Sequence, residues 1–374
     1  MAGIYIHIPF CKQACSYCDF HFTTNLRQRG DIVKAIIREL EMRKEELHPY
    51  QGVSTLYFGG GTPSLLLHGE VQSIIEAVHQ IYILASNAEI TLEANPDDLS
   101  MTTCSRLYDS GINRLSIGIQ SFYDEDLKFM NRAHSAKDAL KAVENAQKAK
   151  INNISIDLIY GLPNLGAERW KKNLKFAVKS GVQHISSYGL TVEPKTQLQH
   201  WIKTQKATAP DEAQMAEEFS IMKEYLESEG FEHYEISNFA KKGFRSRHNS
   251  AYWNGTDFLG IGPSAHSYTN KTRKMNVSSN GKYLKSISEG RLPYTEEILS
   301  PKNKYNEYIL TRLRTKEGIK LEDLYNKFEP EIQKHFKNRL SLFQKEWFDF
   351  DGTSLNLTPK GMLFADAAAL HFFM

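Results

Sequence analysis

The chain has 374 residues, more than the roughly 100 to 200 usual for one domain, and its 41% hydrophobic, 24% charged and 11% aromatic content excludes a disordered chain. A formal net charge of +2 decides nothing about a nucleic-acid partner, because a local patch can hide in a near-neutral total. No apolar run approaches the roughly 20 residues of a membrane span and no leader pattern opens the sequence, so a cytoplasmic protein with no transmembrane segment is expected. Four cysteines, three of them clustered, are a poor disulfide framework for this length, and tight thiol clusters in reducing compartments are usually metal sites.

The first two thirds alternate short apolar runs with amphipathic stretches, which predicts βα units around a parallel sheet or barrel. Strands are expected at 4–8, 55–58, 89–93, 114–119, 154–159 and 184–190, each rich in Ile, Leu, Val or Tyr. Helical periodicity fills the gaps at 32–47, 71–82, 101–110, 136–148 and 170–179. Gly111, Gly181 and Gly230 follow helix-period stretches, where a left-handed C-cap would put them. After Thr191 the pattern loosens into a charged amphipathic helix at 211–229 and an aromatic, Gly-rich segment at 231–268 containing RHNSAYWNG and GIGPSAHSY. From Pro301, helices at 303–313, 321–328 and 332–345 lead into WFDFDGTSLNLTPKG, with a turn at Asp351-Gly352. The expected fold class is α/β: a partial (βα)6 TIM-type barrel at 1–195, an extension completing the core at 196–300, and a small winged-helix-like α+β domain at 301–374.

FGGGTPS follows the second strand, EANPDD the third, IQSF the fourth and YGLP the fifth, so their polar groups converge at the C-terminal edge of the barrel, where such folds carry their sites. CKQACSYC, at 11–18, sets Cys11, Cys15 and Cys18 directly after the first strand. Structural zinc wants four closed ligands, and His21 as the fourth makes an unconventional set. A redox pair of Cys15 and Cys18 leaves Cys11 unexplained. Three buried structural thiols sit poorly beside Lys12, Gln13, Ser16 and Asp19, which are residues of a polar loop. An iron-sulfur cluster takes thiolates, and three on one loop would hold three irons of a cubane and leave the fourth open.

The spacing C-x3-C-x-Φ-C, with Tyr17 before the last cysteine, resembles the signature of radical S-adenosylmethionine (SAM) enzymes. That resemblance implies a 4Fe-4S cluster on Cys11, Cys15 and Cys18, with SAM chelating the open iron through its amino and carboxylate groups. It also implies an electron donor such as flavodoxin or ferredoxin, whose electron cleaves SAM to methionine and a 5'-deoxyadenosyl radical. GGGTP at 59–63 resembles the family's glycine motif, whose backbone approaches the methionine end of SAM. YIHIPFC, GGGTPS, EANP, IGIQSF, NRAH and DLIYGLP resemble, in order and spacing over essentially the whole chain, the oxygen-independent coproporphyrinogen III oxidase group of these proteins. By that resemblance SAM contacts are expected at Tyr5, Tyr17, Gly60, Gly61, Thr62, Glu93, Gln120, Arg132 and Asp157. Glu93 can accept from the ammonium or ribose hydroxyls, Arg132 can pair the carboxylate, and Gln120 and Asp157 can bind ribose. Taken singly, Glu93 reads more readily as a rim charge and Arg132 as a solvated helix-start residue, whereas Asp157, inside ISIDLIYGLP, must find a partner or ligand.

Oxidases of the group carry a fourth cysteine two residues after the third and an N-terminal extension; here Phe20 stands at that position and ten residues precede Cys11. RHNSAYWNG resembles the H-N-x-x-Y-W segment of the group's haem-chaperone branch, which makes His248 the candidate haem ligand, with Tyr252 and Trp253 stacking on the porphyrin. The alternative is a core histidine bonded to backbone, with Tyr252 and Trp253 as packing aromatics. The domain from 301 resembles the small domain covering the barrel mouth in this group. Its twelve Lys and Arg against ten Asp and Glu argue for a porphyrin lid or partner surface and against nucleic acid. Cys104, in a helical pattern, is expected to be a core thiol. The expected function is a haem chaperone that binds haem, a 4Fe-4S cluster and SAM and passes haem to an acceptor protein, with no residue assigned as catalytic and SAM cleavage left open. The alternative is oxidative decarboxylation of coproporphyrinogen III to protoporphyrinogen IX.

Overall fold

The computed structural model describes residues 1–47, 52–163, 166–342 and 345–374. Strands β1 (Ala2–Ile8), β2 (Val53–Gly60), β3 (Leu84–Ala94), β4 (Arg114–Gln120), β5 (Asn153–Tyr160) and β6 (His184–Gly189) lie side by side in chain order, all parallel. Helices Arg29–Met42, His68–Ile81, Met101–Asp109, Ala136–Lys148 and Gly166–Lys179 make the crossovers. Every expected strand and helix of this part is present, the first helix ending five residues earlier than its periodicity predicts. Gly111, Gly181 and Gly230 take φ of +93°, +76° and +78°, the left-handed values a C-cap requires.

Parallel strands buried on both faces usually read as continuous apolar runs; these alternate. Ile4, Ile6, Leu56, Phe58, Ile90, Leu92, Leu115, Ile117, Ile154 and Ile156 pack with helix residues such as Ile36, Ile74, Leu107 and Val143 in one core. The intervening positions carry Tyr5, Thr55, Thr91, Arg114, Ser116, Ser155, Asp157, His184 and Ser186. With period 2, one face of each strand is spent on the helices and the other on a polar interior. That interior is what makes room for a site.

The loosened segment builds more sheet than its sequence suggests. β7 (Glu232–Glu235) and β8 (Asn238–Ala240) extend the sheet beyond β6, while β9 (Phe258–Ile261) pairs parallel with β1 and leads to β10 (His266–Tyr268), β11 (Thr272–Asn276) and β12 (Tyr294–Ile298), making twelve strands among the described residues. These strands of three to five residues are too short for a period to show in sequence. A buried polar knot ties them to the first helix. Arg43 donates to Glu39 at 3.0 Å, the Gly260 carbonyl at 2.8 Å and Ser267 at 2.9 Å, and Glu39 accepts from Asn276, the Gly262 amide and the Tyr283 hydroxyl. Each buried charge thereby has its partners.

The C-terminal part has its own core, including Tyr305, Ile309, Leu313, Phe336, Phe348 and Phe372. Helices Pro301–Leu313, Leu321–Lys327 and Pro330–Leu340 pack on a small antiparallel sheet of β13 (Ile319–Lys320), β14 (Phe348–Phe350) and β15 (Ser354–Leu357), in the order β13-β15-β14. The expected turn is there, with Gly352 at φ +93°. The third helix stops at Leu340 instead of running to 345, and residues 343–344 of that expectation lie outside the described residues. No helix among the described residues is long and apolar enough to cross a membrane.

Edge strand β7 clips the two parts together: the Ile236 amide donates to the Arg314 carbonyl at 3.1 Å and the Lys316 amide to the Tyr234 carbonyl at 3.0 Å. Glu235 is 2% exposed at this seam, and burial lifts its carboxyl to about 7. The folded chain therefore keeps a proton that the unfolded chain loses near the ordinary glutamate value of 4.5. Stability from this group is fully present below that value and is lost as pH rises through about 7. Glu235→Gln is expected to flatten that decline by up to about 3 kcal/mol, read as urea midpoints at about pH 5 and about pH 8.

Candidate functional site

The cysteine loop is clamped from three sides. After β1 the chain turns through Cys11, whose amide donates to the Thr23 carbonyl at 3.1 Å, and on the glycine side the Gly61 and Thr62 amides donate to the carbonyls of Ile8 and Phe10 at 2.9 and 2.6 Å. The segment at 129–131 holds the other side: the Ser16 amide donates to the Met130 carbonyl at 3.1 Å, Ser16 Oγ to the Phe129 carbonyl at 3.0 Å, and Gln13 Nε2 to the Asn131 carbonyl at 2.7 Å, while Asn131 returns a bond to the Ala14 carbonyl at 2.7 Å. Lys12 completes the clamp on Asp97 at 2.6 Å and on Asp98. His134, buried with Nε2 on the Ile119 carbonyl, pins the far end of the same NRAH turn to the end of β4. Three polar loops at strand ends thus fix the positions of three thiols that are free of disulfides.

The glycine motif earns its residues by close approach. A Cβ on Gly61 would stand 2.5 Å from the Phe10 carbonyl oxygen, and one on Gly60, at φ +108°, would stand 2.6 Å from the His7 ring. The loop needs glycine to seat against β1 and the cysteine loop, before any ligand is considered. Since a carbonyl cannot swing aside, Gly61→Ala is expected to cost about 1 to 3 kcal/mol by overpacking. The same variant should also bind less iron, since the displaced partner is the base of the cysteine loop. A thermal unfolding curve and a metal analysis on one preparation check both.

Behind the thiols stand the expected charges. Arg132 Nη1 donates to Cys15 Sγ at 3.3 Å, and Nη2 donates to Asn95 Oδ1 and to the Gly118 carbonyl, each at 2.7 Å; its Nε is buried without a partner. Glu93 accepts from Tyr57 Oη at 2.8 Å and the Gly60 amide at 3.2 Å, and burial pushes its carboxyl up to about 7. Asp157 accepts from Ser116 Oγ at 3.3 Å and is lifted to about 6, again by burial. Burial also raises the thiol of Cys11 and pushes Cys18 up to about 11, so both are thiols until a metal or cation takes the proton's place. Gln120 ends β4 at φ +68°, a left-handed value rare for a side-chain-bearing residue, where the β4–β5 register shifts.

One cavity of about 970 Å³ gathers these groups. Cys11, Cys15, Tyr17, Cys18, Gly60, Gly61, Thr62, Glu93, Gln120, Arg132 and Asp157 all line it. Tyr5 stands behind this wall instead, its ring 6.1 Å from that of Tyr57 and its hydroxyl 3.2 Å from His7 Nδ1. Tyr57 and Asn95 were not singled out from sequence; the first orients Glu93 and the second bridges Arg132 and Thr62.

His248 is not brought to this cavity. It sits near the opposite ends of the strands, Nδ1 on Thr55 Oγ1 at 2.8 Å and Nε2 on Tyr252 Oη at 2.9 Å, with its amide donating to Glu89 at 3.1 Å. Thr55 pairs in register with Gly3, near the start of β1, and with Glu89 in the middle of β3. The ring is 2% exposed, stacks 4.8 Å from Tyr57, and burial lowers its pKa to about 3. Both ring nitrogens are engaged, so the haem-ligand expectation gives way to a neutral core histidine stacked on Tyr57, held by side chains and not by the backbone the alternative expected. His21, the unconventional fourth ligand weighed for zinc, has its Nε2 on Asn280 Oδ1 at 2.9 Å. Cys104 is fully buried.

Residues 5–177 match the Radical SAM superfamily and residues 299–364 the HemN C-terminal domain. The heme chaperone HemW of Bacillus subtilis is 32% identical over 97% of this chain and 97% of its own length, and that of Synechocystis 35% identical over 93% and 86%. The chain belongs to the HemW family of radical SAM proteins. A mitochondrial radical S-adenosyl methionine domain-containing protein 1 from Bos taurus is 34% identical over 88% of this chain and 77% of its own. Coproporphyrinogen III oxidase HemN from Escherichia coli has the same fold, with a TM-score of 0.85 at 22% identity over 99% of this chain and 89% of that one. The donor set of this HemW-family site suits the cluster and SAM that its superfamily implies: three unbridged thiols on a fixed loop, a buried guanidinium with an unused donor, and two carboxylates facing one cavity.

Proposed function

We propose that this protein is a haem chaperone that holds a 4Fe-4S cluster on Cys11, Cys15 and Cys18, binds SAM beside it, and delivers haem to an acceptor protein. The observation carrying this reading is the cavity itself, lined by three thiols, buried charged groups and apolar side chains, in a chain whose near full-length relatives are named heme chaperones. When bound, the cluster and SAM supply reductive cleavage chemistry, with an electron from a donor such as flavodoxin or ferredoxin. The protein's own groups bind and orient: Arg132 pairs a carboxylate, Glu93 accepts from an ammonium, and Asp157 and Gln120 take ribose hydroxyls. In this reading residues 1–195 are the core, 196–300 complete it, and 301–374 form the lid.

Phe20 favours a carrier over an oxidase. It stands 66% exposed on the cavity wall where oxidases of the group carry their additional cysteine. Anaerobically reconstituted protein is expected to bind haem stoichiometrically in a spectral titration and, given SAM, reductant and coproporphyrinogen III, to form no protoporphyrinogen IX. Sustained turnover in that assay would overturn the carrier reading.

A further inference from the structure

The cavity extends well past the cysteine end. Its lining also includes Tyr160, Tyr188, Met215, Phe219, Met362, Phe364 and Arg314, together with the acidic Glu193, Glu212 and Asp366. Its total of about 970 Å³ is near the upper end of single-ligand sites, which run from roughly 300 to 1,000 Å³. The apolar side chains share one continuous cavity with the thiols. Resting on the haem-carrier reading, we infer that these apolar side chains seat the tetrapyrrole, with the Met215 thioether as the iron ligand and Arg314 as the receptor for a propionate.

The choice of ligand follows from what faces the space. Protein haem ligands are imidazole, thiolate, thioether and phenolate. No histidine is among the described residues lining the cavity, and its three thiols belong to the cluster end. The Tyr160 ring packs against Trp170 and Phe219 at 5.9 and 6.4 Å, and the Tyr188 side chain lies toward Ser186 and Asp157, so neither phenol is assigned to the iron. Two thioethers remain. Met362 is packed against both hydrophobic cores and belongs to the seam. Met215 is different: it crosses the ends of β5 and β6 where glycine has cleared a slot for it. A Cβ on Gly161 would stand 2.7 Å from Met215 Cγ, and one on Gly189 would stand 2.6 Å from its Cε. Two strand ends are kept bare so that one flexible sulfur side chain can lie along the cavity wall.

Arg314 has donors to spare. Nη1 bonds Asp366 at 3.1 Å, but that carboxylate is 80% exposed, a weak partner that a buried propionate can displace. Its Nε is buried with no partner, and its guanidinium lies 5.4 Å above the ring of Trp253. The HNxxYW segment therefore reaches the cargo through Trp253, which props Arg314, while His248 stays stacked on Tyr57.

Full-length protein titrated with haemin, protoporphyrin IX and haem dimethyl ester separates the assignments. Met215→Leu, which conserves volume, is expected to shift the Soret band and weaken haemin at least roughly tenfold while leaving metal-free protoporphyrin IX unchanged. Arg314→Gln is expected to weaken haemin and protoporphyrin IX roughly ten- to a hundredfold, the loss of a charge-assisted bond, without affecting the dimethyl ester. The metal-free and ester arms also report that each variant is folded. Wild-type spectrum and affinity for haemin in Met215→Leu would overturn the ligand, and unchanged acid binding in Arg314→Gln would overturn the receptor, with the carrier reading intact. Wild-type protein that binds no haemin would bring down both.

Discussion

Serine at any one of Cys11, Cys15 or Cys18 is expected to abolish cluster binding altogether, with iron and acid-labile sulfide falling to background after anaerobic reconstitution. A serine hydroxyl does not ionise in this pH range and cannot replace a thiolate on iron. The fold should survive, because the loop is held by the backbone and by Ser16, Gln13, Lys12 and Asn131, not by its sulfurs. The variants are therefore expected to unfold within about 1 kcal/mol of the parent. Iron retained in full by any of the three would remove that thiol from the ligand set.

Arg132→Met is the second large effect, and it should appear in both stability and cofactor affinity. The guanidinium ties together the end of β4, Asn95 after β3, and Cys15. Removing it strands the Asn95 amide oxygen and the Gly118 carbonyl beside a thiol, at a cost of roughly 3 kcal/mol. SAM affinity of the reconstituted protein should fall roughly ten- to a hundredfold, because Arg132 is the guanidinium bonded to the cysteine loop among the described residues and can fork onto a carboxylate there. Arg132→Lys is expected to recover stability only in part, since one ammonium cannot span three acceptors in the plane the guanidinium occupies. Urea unfolding and equilibrium dialysis with SAM check the two halves separately.

The elements most legible in sequence are those whose neighbours all agree. β1 to β6 are apolar runs separated by amphipathic helices, and their polar motifs fall at the strand ends because the chain must turn there. β9 was hidden for the opposite reason. Four residues between glycine-rich turns carry no period, and only the open edge of β1 makes them a strand. Among site residues, the cysteines and Arg132 could be found because each belongs to a local motif. Tyr57 could not: its role is to hold Glu93 from the next strand, which is a matter of register.

His248 shows what a motif cannot say. An imidazole beside two aromatics reads as a haem ligand until topology places it at the base of the barrel, with both nitrogens occupied. The glycines teach a related lesson. GGGT looks like a loop shaped for a ligand, yet Gly60 and Gly61 are required first by His7 and the Phe10 backbone, so the motif would be needed even in the empty fold. The distinction depends on which chain segment lies across the loop, and sequence spacing does not carry that information.

The most direct test of the central claim is the electron paramagnetic resonance spectrum of the reduced, anaerobically reconstituted full-length protein before and after addition of SAM. Three thiolates gripping a cubane with one open iron predict iron and sulfide in equal amounts and a spectrum that changes on adding SAM. Zinc on those side chains, an absence of sulfide, or a cluster signal indifferent to SAM would contradict it.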